Sequence, residues 1–355
     1  MKIEQDYLSK INRQTEFHGV KESLSKLRKI SLNPAFQNII SIFEEGYDQF
    51  SKSGFTPQNA YVAMRQLFVI TNGGFNRMIA ENISKAVPPL QSPANSMVFG
   101  DSLSAIIQGL NSNGHWIFKE KMPNQHVDNL VRYAKEAPAF GRAAKDRPAS
   151  QGTYSAIHRL GNAIFDFDEK KLVNNDDVWA VATMREFTDI ARAYLNTEPI
   201  LDLVTMWWSL ATKASIQEQS SAAQLYHFDL DRLRFLKFFV YLTDVGDANG
   251  PHSYVSGSHK GFKNSSLQRD GRFSDEEIRR FYPSNEVKIT GKKGTIFVAD
   301  TAGFHKGTPL EDGERLIFQL EFSNSLFGAS YTQWDRTAKT EYEKQNKSLF
   351  AKMAK

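Results

Sequence analysis

The sequence predicts an α+β protein whose helical N-terminal half leads into a β-rich C-terminal half, and three observations carry that prediction. Segments 20–30, 35–52 and 56–69 place apolar residues three and four apart, the period of a helix with one buried face. Beyond Pro199 the pattern changes to short β-branched and aromatic runs at 201–210, 225–242, 286–289, 294–299 and 315–323. Between these runs lie turn formers: residues 246–251 (Gly-Asp-Ala-Asn-Gly-Pro), Gly257 with Ser258, Gly291 and Gly303. Many short strands joined by Gly-rich turns predict a sandwich or barrel rather than a parallel sheet.

Taken in order, residues 1–90 read as helical until the Pro-rich stretch 87–93 breaks the period, and 96–118 is mixed. The Ala-, Gly- and Pro-rich stretch 137–152 reads as a loop or the flank of a site, and 176–194 as one helix. Residues 225–242 read as strand, short bend, strand. One helix interrupts the β half, because Ser274 to Glu277 has the Ser-x-x-Glu form of a capping box ahead of Ile278 and Phe281. The charged tail 332–355 is expected to be a surface helix. The resulting division is a mainly helical region 1–150, a β core 151–330 and a C-terminal helix 331–355, with no internal repeat.

Composition narrows the function classes. A chain of 355 residues can bury a sizeable core, and 41% hydrophobic with 24% charged residues is ordinary for a globular protein. A net charge of +4 without a Lys/Arg run gives no nucleic-acid arm or membrane-binding patch. No apolar run approaches the roughly 20 residues that cross a bilayer. The N-terminus has no apolar leader, so a cytoplasmic location is expected. With no cysteine, disulfides, thiolate ligands and a Cys nucleophile are excluded, and any metal must sit on His, Asp or Glu.

Chemistry concentrates in the β half. In the run 225–242, His227 and Asp229 are two residues apart and share one face of a strand. His305 follows a strand and the turn Asp300-Thr301-Ala302-Gly303, and Arg315 opens the last strand ten residues later. Two histidines and a carboxylate on one face of an octahedral ion leave three positions open, as in non-haem Fe(II) oxygenases. A guanidinium nearby would hold a second carboxylate through two parallel hydrogen bonds, as a 2-oxoglutarate cosubstrate requires. Singly, each feature has a plainer reading: His-x-Asp as a surface pair, Asp231 as part of an acidic strand edge, Arg315 as a partner of Glu311 or Glu314. His18, His115, His126 and His158 read as surface or core residues; His252 and His259, beside Gly-rich turns, are harder to dismiss.

Residues 225–328 resemble the phytanoyl-CoA dioxygenase family of Fe(II)/2-oxoglutarate oxygenases. The likeness rests on His227-Phe228-Asp229, on 241–245 (Tyr-Leu-Thr-Asp-Val), on Asn249-Gly250-Pro251-His252 and on Gly257-Ser258-His259. It continues through Lys293-Gly294-Thr295, residues 300–307 and Arg315. The resemblance implies a double-stranded β-helix (jelly-roll, cupin-like) core with the helical N-terminal region packed around it. It implies Fe(II) on His227, Asp229 and His305, 2-oxoglutarate anchored by Arg315, and O2 as co-reactant. The implied reaction hydroxylates a small molecule and releases succinate and carbon dioxide. Related halogenases replace the carboxylate ligand by a small residue, so Asp229 speaks against halogenation. Lys237, eight residues past Asp229, is placed near the cosubstrate carboxylate; a solvated strand lysine is the competing reading. Arg232, Arg234 and the bases of 260–280 suggest an anionic substrate. The partner expected is a small molecule, not nucleic acid or membrane, for a monomer or homodimer. Two rivals stay open: a non-catalytic binding module on the same barrel, and a cupin-type oxygenase or isomerase that needs no keto acid.

Overall fold

This computed structural model describes residues 2–29, 33–89, 96–142, 150–212 and 223–331 together with Ser220. Four helices open the chain: α1 (Lys2–Arg28), α2 (Pro34–Ser53), α3 (Gln58–Ile70) and α4 (Gly74–Ala86). The bounds of α2 show how local sequence sets them. The Asn33 side chain accepts hydrogen bonds from the Ala35 and Phe36 amides, and Pro34 fills the first helical position, where an N–H has no partner to lose. Gly54, at φ 78°, closes the last turn by donating its amide to the Phe50 carbonyl. The four helices bury Phe17, Phe43, Tyr47, Phe50 and Phe75 against one another, and Leu233 and Phe327 from the β half complete the cluster. The Phe327 ring lies 4.6 Å from Tyr47 and 5.0 Å from Phe43, which pins the helical layer to the far end of the last strand.

The strands are β1 (Met97–Val98), β2 (Asp101–Ser102), β3 (His115–Ile117), β4 (Ala139–Gly141), β5 (Ser150–Gly152), β6 (Ile164–Phe167) and β7 (Ile200–Leu210). They continue with β8 (Phe235–Tyr241), β9 (His252–Val255), β10 (Glu286–Ile289), β11 (Ile296–Ala299), β12 (His305–Gly307) and β13 (Glu314–Ser323). One antiparallel sheet runs β3-β11-β8-β13-β7-β6-β4-β5, and a second runs β10-β9-β12. The sheets face each other across Phe239, Tyr241, Tyr254, Ile289, Phe297 and Ile317. Helices Leu103–Asn113, Asn124–Glu136 and Arg185–Leu195 cover the outer face of the large sheet. This is a jelly-roll, double-stranded β-helix with helices packed around it, the fold class expected.

Three local expectations need amendment. The stretch 137–152 is not simply a loop: β4 and β5 extend the large sheet there, strands of three residues too short to show a period. The helix expected over 176–194 is two, Asp176–Ala182 and Arg185–Leu195, because the Thr183 hydroxyl donates back to the Trp179 carbonyl and ends the first. In 225–242 only Phe235–Tyr241 is a full strand; Tyr226 and His227 make isolated bridges. The C-terminal helix expected over 331–355 falls, from residue 332 on, outside the described residues. Strands β3 and β4, ahead of residue 151, belong to the large sheet.

Candidate metal centre

The chain leading into β8 runs antiparallel to the chain leading into β12. His227 and His305 exchange both backbone hydrogen bonds, at 3.0 and 2.8 Å, and the Asp229 amide donates to the Thr301 carbonyl at 2.7 Å. This pairing brings the side chains at 227, 229 and 305 together. The turn before His305 requires glycine, since a Cβ at Gly303 would come 2.3 Å from the Tyr254 hydroxyl and 2.8 Å from Ser258 Oγ.

One ligand atom from each of His227, Asp229 and His305 lies within 4.8 Å of the others, the only such cluster of His, Asp or Glu among the described residues. Asp229 Oδ2 is 3.3 Å from His305 Nε2, and Oδ1 is 3.7 Å from His227 Nε2. Each imidazole is oriented the same way: Nδ1 faces the carbonyl two residues earlier, Leu225 and Gly303, at 2.9 Å. With the proton on Nδ1, both Nε2 lone pairs are left to converge on an ion. Burial, then the nearby His305, push the His227 imidazole down to about 3, so it is neutral and ready to ligate at ordinary pH. Burial alone would raise the Asp229 carboxyl, but the Lys237 charge and the nearby His305 ring more than reverse this and hold it well below the usual range. Two nitrogens and one oxygen suit an open iron-type site better than a closed structural zinc site.

The three groups open onto a cavity of about 360 Å³ between the sheets. Arg315, Ile317 and Gln319 alternate along β13 and all face it, as do Leu203, Thr205 and Trp207 of β7 and Lys237 and Phe239 of β8. Arg315 is only 4% exposed. Its Nη1 donates to the Gly250 carbonyl and its Nη2 to Ser209 Oγ at 3.0 Å. Its Nε makes no hydrogen bond, and among the described residues no carboxylate pairs with it. Glu314 is taken instead by the Tyr154 hydroxyl at 2.7 Å and by His158. Burial pushes the Arg315 guanidinium down from its ordinary value.

Lys237 also faces the cavity, but its ammonium is taken up by protein carboxylates: Asp229 at 2.8 Å, Asp231 at 2.7 Å and Glu321 at 3.3 Å. His252 lines the cavity with its ring 5.5 Å from that of His305 and Nε2 without a hydrogen bond, whereas His259 holds the Asn111 carbonyl through Nε2 at 3.3 Å. Arg232 is a framework residue: its guanidinium binds Asp202 and donates to the Leu326 and Ala329 carbonyls at 2.8 Å. Arg234 lies over the Tyr194 ring, and neither arginine lines the cavity of the triad. Sequence reasoning passed over the β7 wall and the Arg142–Asp166 pair that also lines the cavity. A polar Thr205 on the face shared by Leu203 and Trp207 was the available signal.

A jelly-roll barrel with two imidazoles, a carboxylate and a buried arginine around one cavity defines the class of non-haem iron oxygenases. The phytanoyl-CoA dioxygenase (PhyH) family model matches residues 113–313, and the chain belongs to that family. It is thus an oxidoreductase that uses Fe(II), 2-oxoglutarate and O2. No curated protein matches the sequence at a significant level. Similar solved structures include SnoN, a non-haem α-ketoglutarate-dependent epimerase from nogalamycin biosynthesis, at 15% identity and TM-score 0.45, covering 62% of this chain and 82% of that one. HygX from Streptomyces hygroscopicus, with nickel and 2-oxoglutarate bound, matches at 12% identity and TM-score 0.44 over 63% of this chain and 88% of that one. EctD from S. alaskensis, with 2-oxoglutarate and 5-hydroxyectoine, matches at 16% and 0.45 over 66% and 82%. Likenesses this distant assign neither substrate nor product to this chain. Among the described residues no helix is long and apolar enough to cross a membrane.

Proposed function

We propose that this chain hydroxylates a small, polar, uncharged molecule, with His227, Asp229 and His305 holding Fe(II) and Arg315 receiving the far carboxylate of 2-oxoglutarate. The observation that carries this reading is the buried Arg315, which has no acid partner among the described residues yet faces the cavity of the triad. An uncompensated buried charge costs several kcal/mol, so a fold that keeps one there reserves it for an anion that arrives later. A dicarboxylate keto acid fits that requirement, because one end chelates at the triad while the other meets the guanidinium. Bound iron supplies the activation of O2 that couples decarboxylation of the keto acid, to succinate and carbon dioxide, with delivery of one oxygen atom to a C–H bond.

The cavity walls support a neutral substrate over the anionic one suggested by Arg232, Arg234 and the bases of 260–280, of which Arg272 is near enough to act on His227 and Asp229 but does not line the cavity. Lys237 is matched by the carboxylates of Asp229 and Asp231, and Arg142 by a two-pronged bridge to Asp166 at 2.6 and 2.8 Å. Apart from Arg315, assigned to the cosubstrate, and His252, the groups the cavity leaves unpaired are neutral: Thr205 Oγ1 makes no hydrogen bond, and Gln319, its direct partner across β7 and β13, makes none among the described residues. They suit hydroxyl or amide groups, while the half-buried Trp207 offers a flat apolar face. Two measurements test this. Arg315→Met should weaken 2-oxoglutarate binding roughly a hundredfold in anaerobic calorimetry, while metal affinity stays; unchanged affinity would remove the cosubstrate assignment. A screen for succinate release should succeed with neutral polyols, glycosides or amides; release only with their phosphorylated counterparts would overturn the substrate class.

A further inference from the structure

We propose that Lys237 is a positioning residue that makes Asp229 bind its metal through one oxygen only; this rests on the reading of His227, Asp229 and His305 as an iron site. The arrangement around it is unusually complete. The ammonium donates hydrogen bonds to Asp229 Oδ2 at 2.8 Å and Asp231 Oδ2 at 2.7 Å, while Glu321 Oε2 stands 3.3 Å away without one. Glu321 lies directly opposite Lys237 in the pairing of β13 with β8 and is fully buried. Asp231 is the next residue after Asp229 on the same side of the chain. A flexible four-carbon stem is thus fixed at its tip by two charge-assisted hydrogen bonds, which a lysine meant to swing toward an incoming ligand would not need.

The consequence for Asp229 follows from counting positions. A carboxylate can grip a divalent ion through one oxygen or through both. Three protein donors, a two-toothed keto acid and O2 fill an octahedral ion completely. Were Asp229 to use both oxygens, it would take a position that the keto acid or O2 needs. Both carboxylate oxygens face the imidazoles, Oδ2 at 3.3 Å from His305 Nε2 and Oδ1 at 3.7 Å from His227 Nε2, but Lys237 occupies Oδ2 with a charge-assisted hydrogen bond and leaves Oδ1 free for an ion. In a buried site that bond is strong enough to bias the choice. Such partners of ligating carboxylates typically change metal affinity or activity 10- to 100-fold when removed.

The test uses Co(II), whose visible spectrum reports coordination number, in the full-length protein without O2. Removing Lys237 alone would leave acids uncompensated, so the variant is Lys237→Met with Asp231→Asn, which conserves net charge. Before any 2-oxoglutarate is added, its Co(II) bands are expected to differ from wild type as Asp229 closes down with both oxygens. Its affinity for 2-oxoglutarate should then fall about tenfold or more. Should that variant not fold, Lys237→Arg keeps the charge but presents a planar fork able to take both carboxylate oxygens. It is expected to weaken Co(II) binding about tenfold or more. A Co(II) spectrum identical to wild type in the keto-acid-free double variant, or wild-type Co(II) affinity in Lys237→Arg, overturns the proposal. A loss of 2-oxoglutarate affinity with an unchanged starting spectrum would mean that Lys237 touches the cosubstrate instead. If wild-type protein binds no Co(II), or binds it equally with His305→Ala, the iron-site reading itself fails, and the two failures are distinguishable.

Discussion

The helical layer and the space between the two sheets are both buried, yet their polar groups are put to different uses. In the helical layer, Glu16 is surrounded by apolar side chains, and its Oε2 accepts from the Tyr47 hydroxyl at 3.1 Å and from Ser325 Oγ at 2.9 Å. Between the sheets, Arg315 Nε and Thr205 Oγ1 of the large sheet and His252 Nε2 of the small one make no hydrogen bond among the described residues, and all three residues line one cavity. Other buried atoms also lack a partner among the described residues, Asn76 Oδ1 in the helical layer and Thr188 Oγ1 among them, but these three converge on one cavity, where a ligand would complete the set. The helical layer holds the barrel in place; the space between the sheets is left unfinished for chemistry.

That contrast can be broken or sharpened by substitution. The largest effect is expected at the triad: His305→Ala should weaken divalent-metal binding by about a thousandfold or more, roughly 4 kcal/mol, with little change in thermal midpoint. Isothermal titration beside a melting curve checks both halves, and an intact metal affinity would detach His305 from the site. Phe327→Ala should do the reverse. Its ring is fully buried among Phe43, Tyr47 and Phe50, so removal should cost about 3–5 kcal/mol in denaturant unfolding while metal affinity survives.

Glu16 gives a pH-dependent effect. Burial pushes its carboxyl up to about 7, against hydrogen bonds from Ser325 and Tyr47 and the charge of Arg13 that lower it. Between the ordinary value near 4.5 and about 7 the folded protein keeps a proton that the unfolded chain has released, so stability falls as pH rises through that window. Glu16→Gln should therefore melt higher than wild type at pH 8, by at most about 3 kcal/mol, and equal it near pH 4. A stabilisation equal at both pH values would show that the carboxyl is not held protonated. The smallest effect is expected where the helical layer meets the loop before the capping-box helix. Arg65 forks onto Asp270 at 2.8 and 2.6 Å, but half of the acid is exposed, so Asp270→Ala should change stability by less than about 1 kcal/mol.

How much of this was legible in the sequence depends on how far apart the determinants lie along the chain. The strand Glu286–Ile289 and the capping box of Ser274 and Glu277 are written locally, and both appear where read. His227, Asp229, His305 and Arg315 were legible as an ordered set of residue types with their turns, and the structure gathers them at one cavity. Lys237 was legible only as a lysine near the site. Glu321, eighty-four positions away, and Asp231 decide what its ammonium does, and a cross-strand register between β8 and β13 is not a local signal. Arg232 misled for the same reason, since its partner Asp202 lies on another strand. The β7 wall was read as strand but not as a site, because only closure of the barrel turns the Thr205 face inward.

The most direct test of the account is an anaerobic titration in the visible range. Wild-type protein given Fe(II) and then 2-oxoglutarate should develop the weak charge-transfer band of a keto acid chelated to iron, and His305→Ala should not. No band in the wild type, or an undiminished band in the variant, would contradict an iron site built from His227, Asp229 and His305.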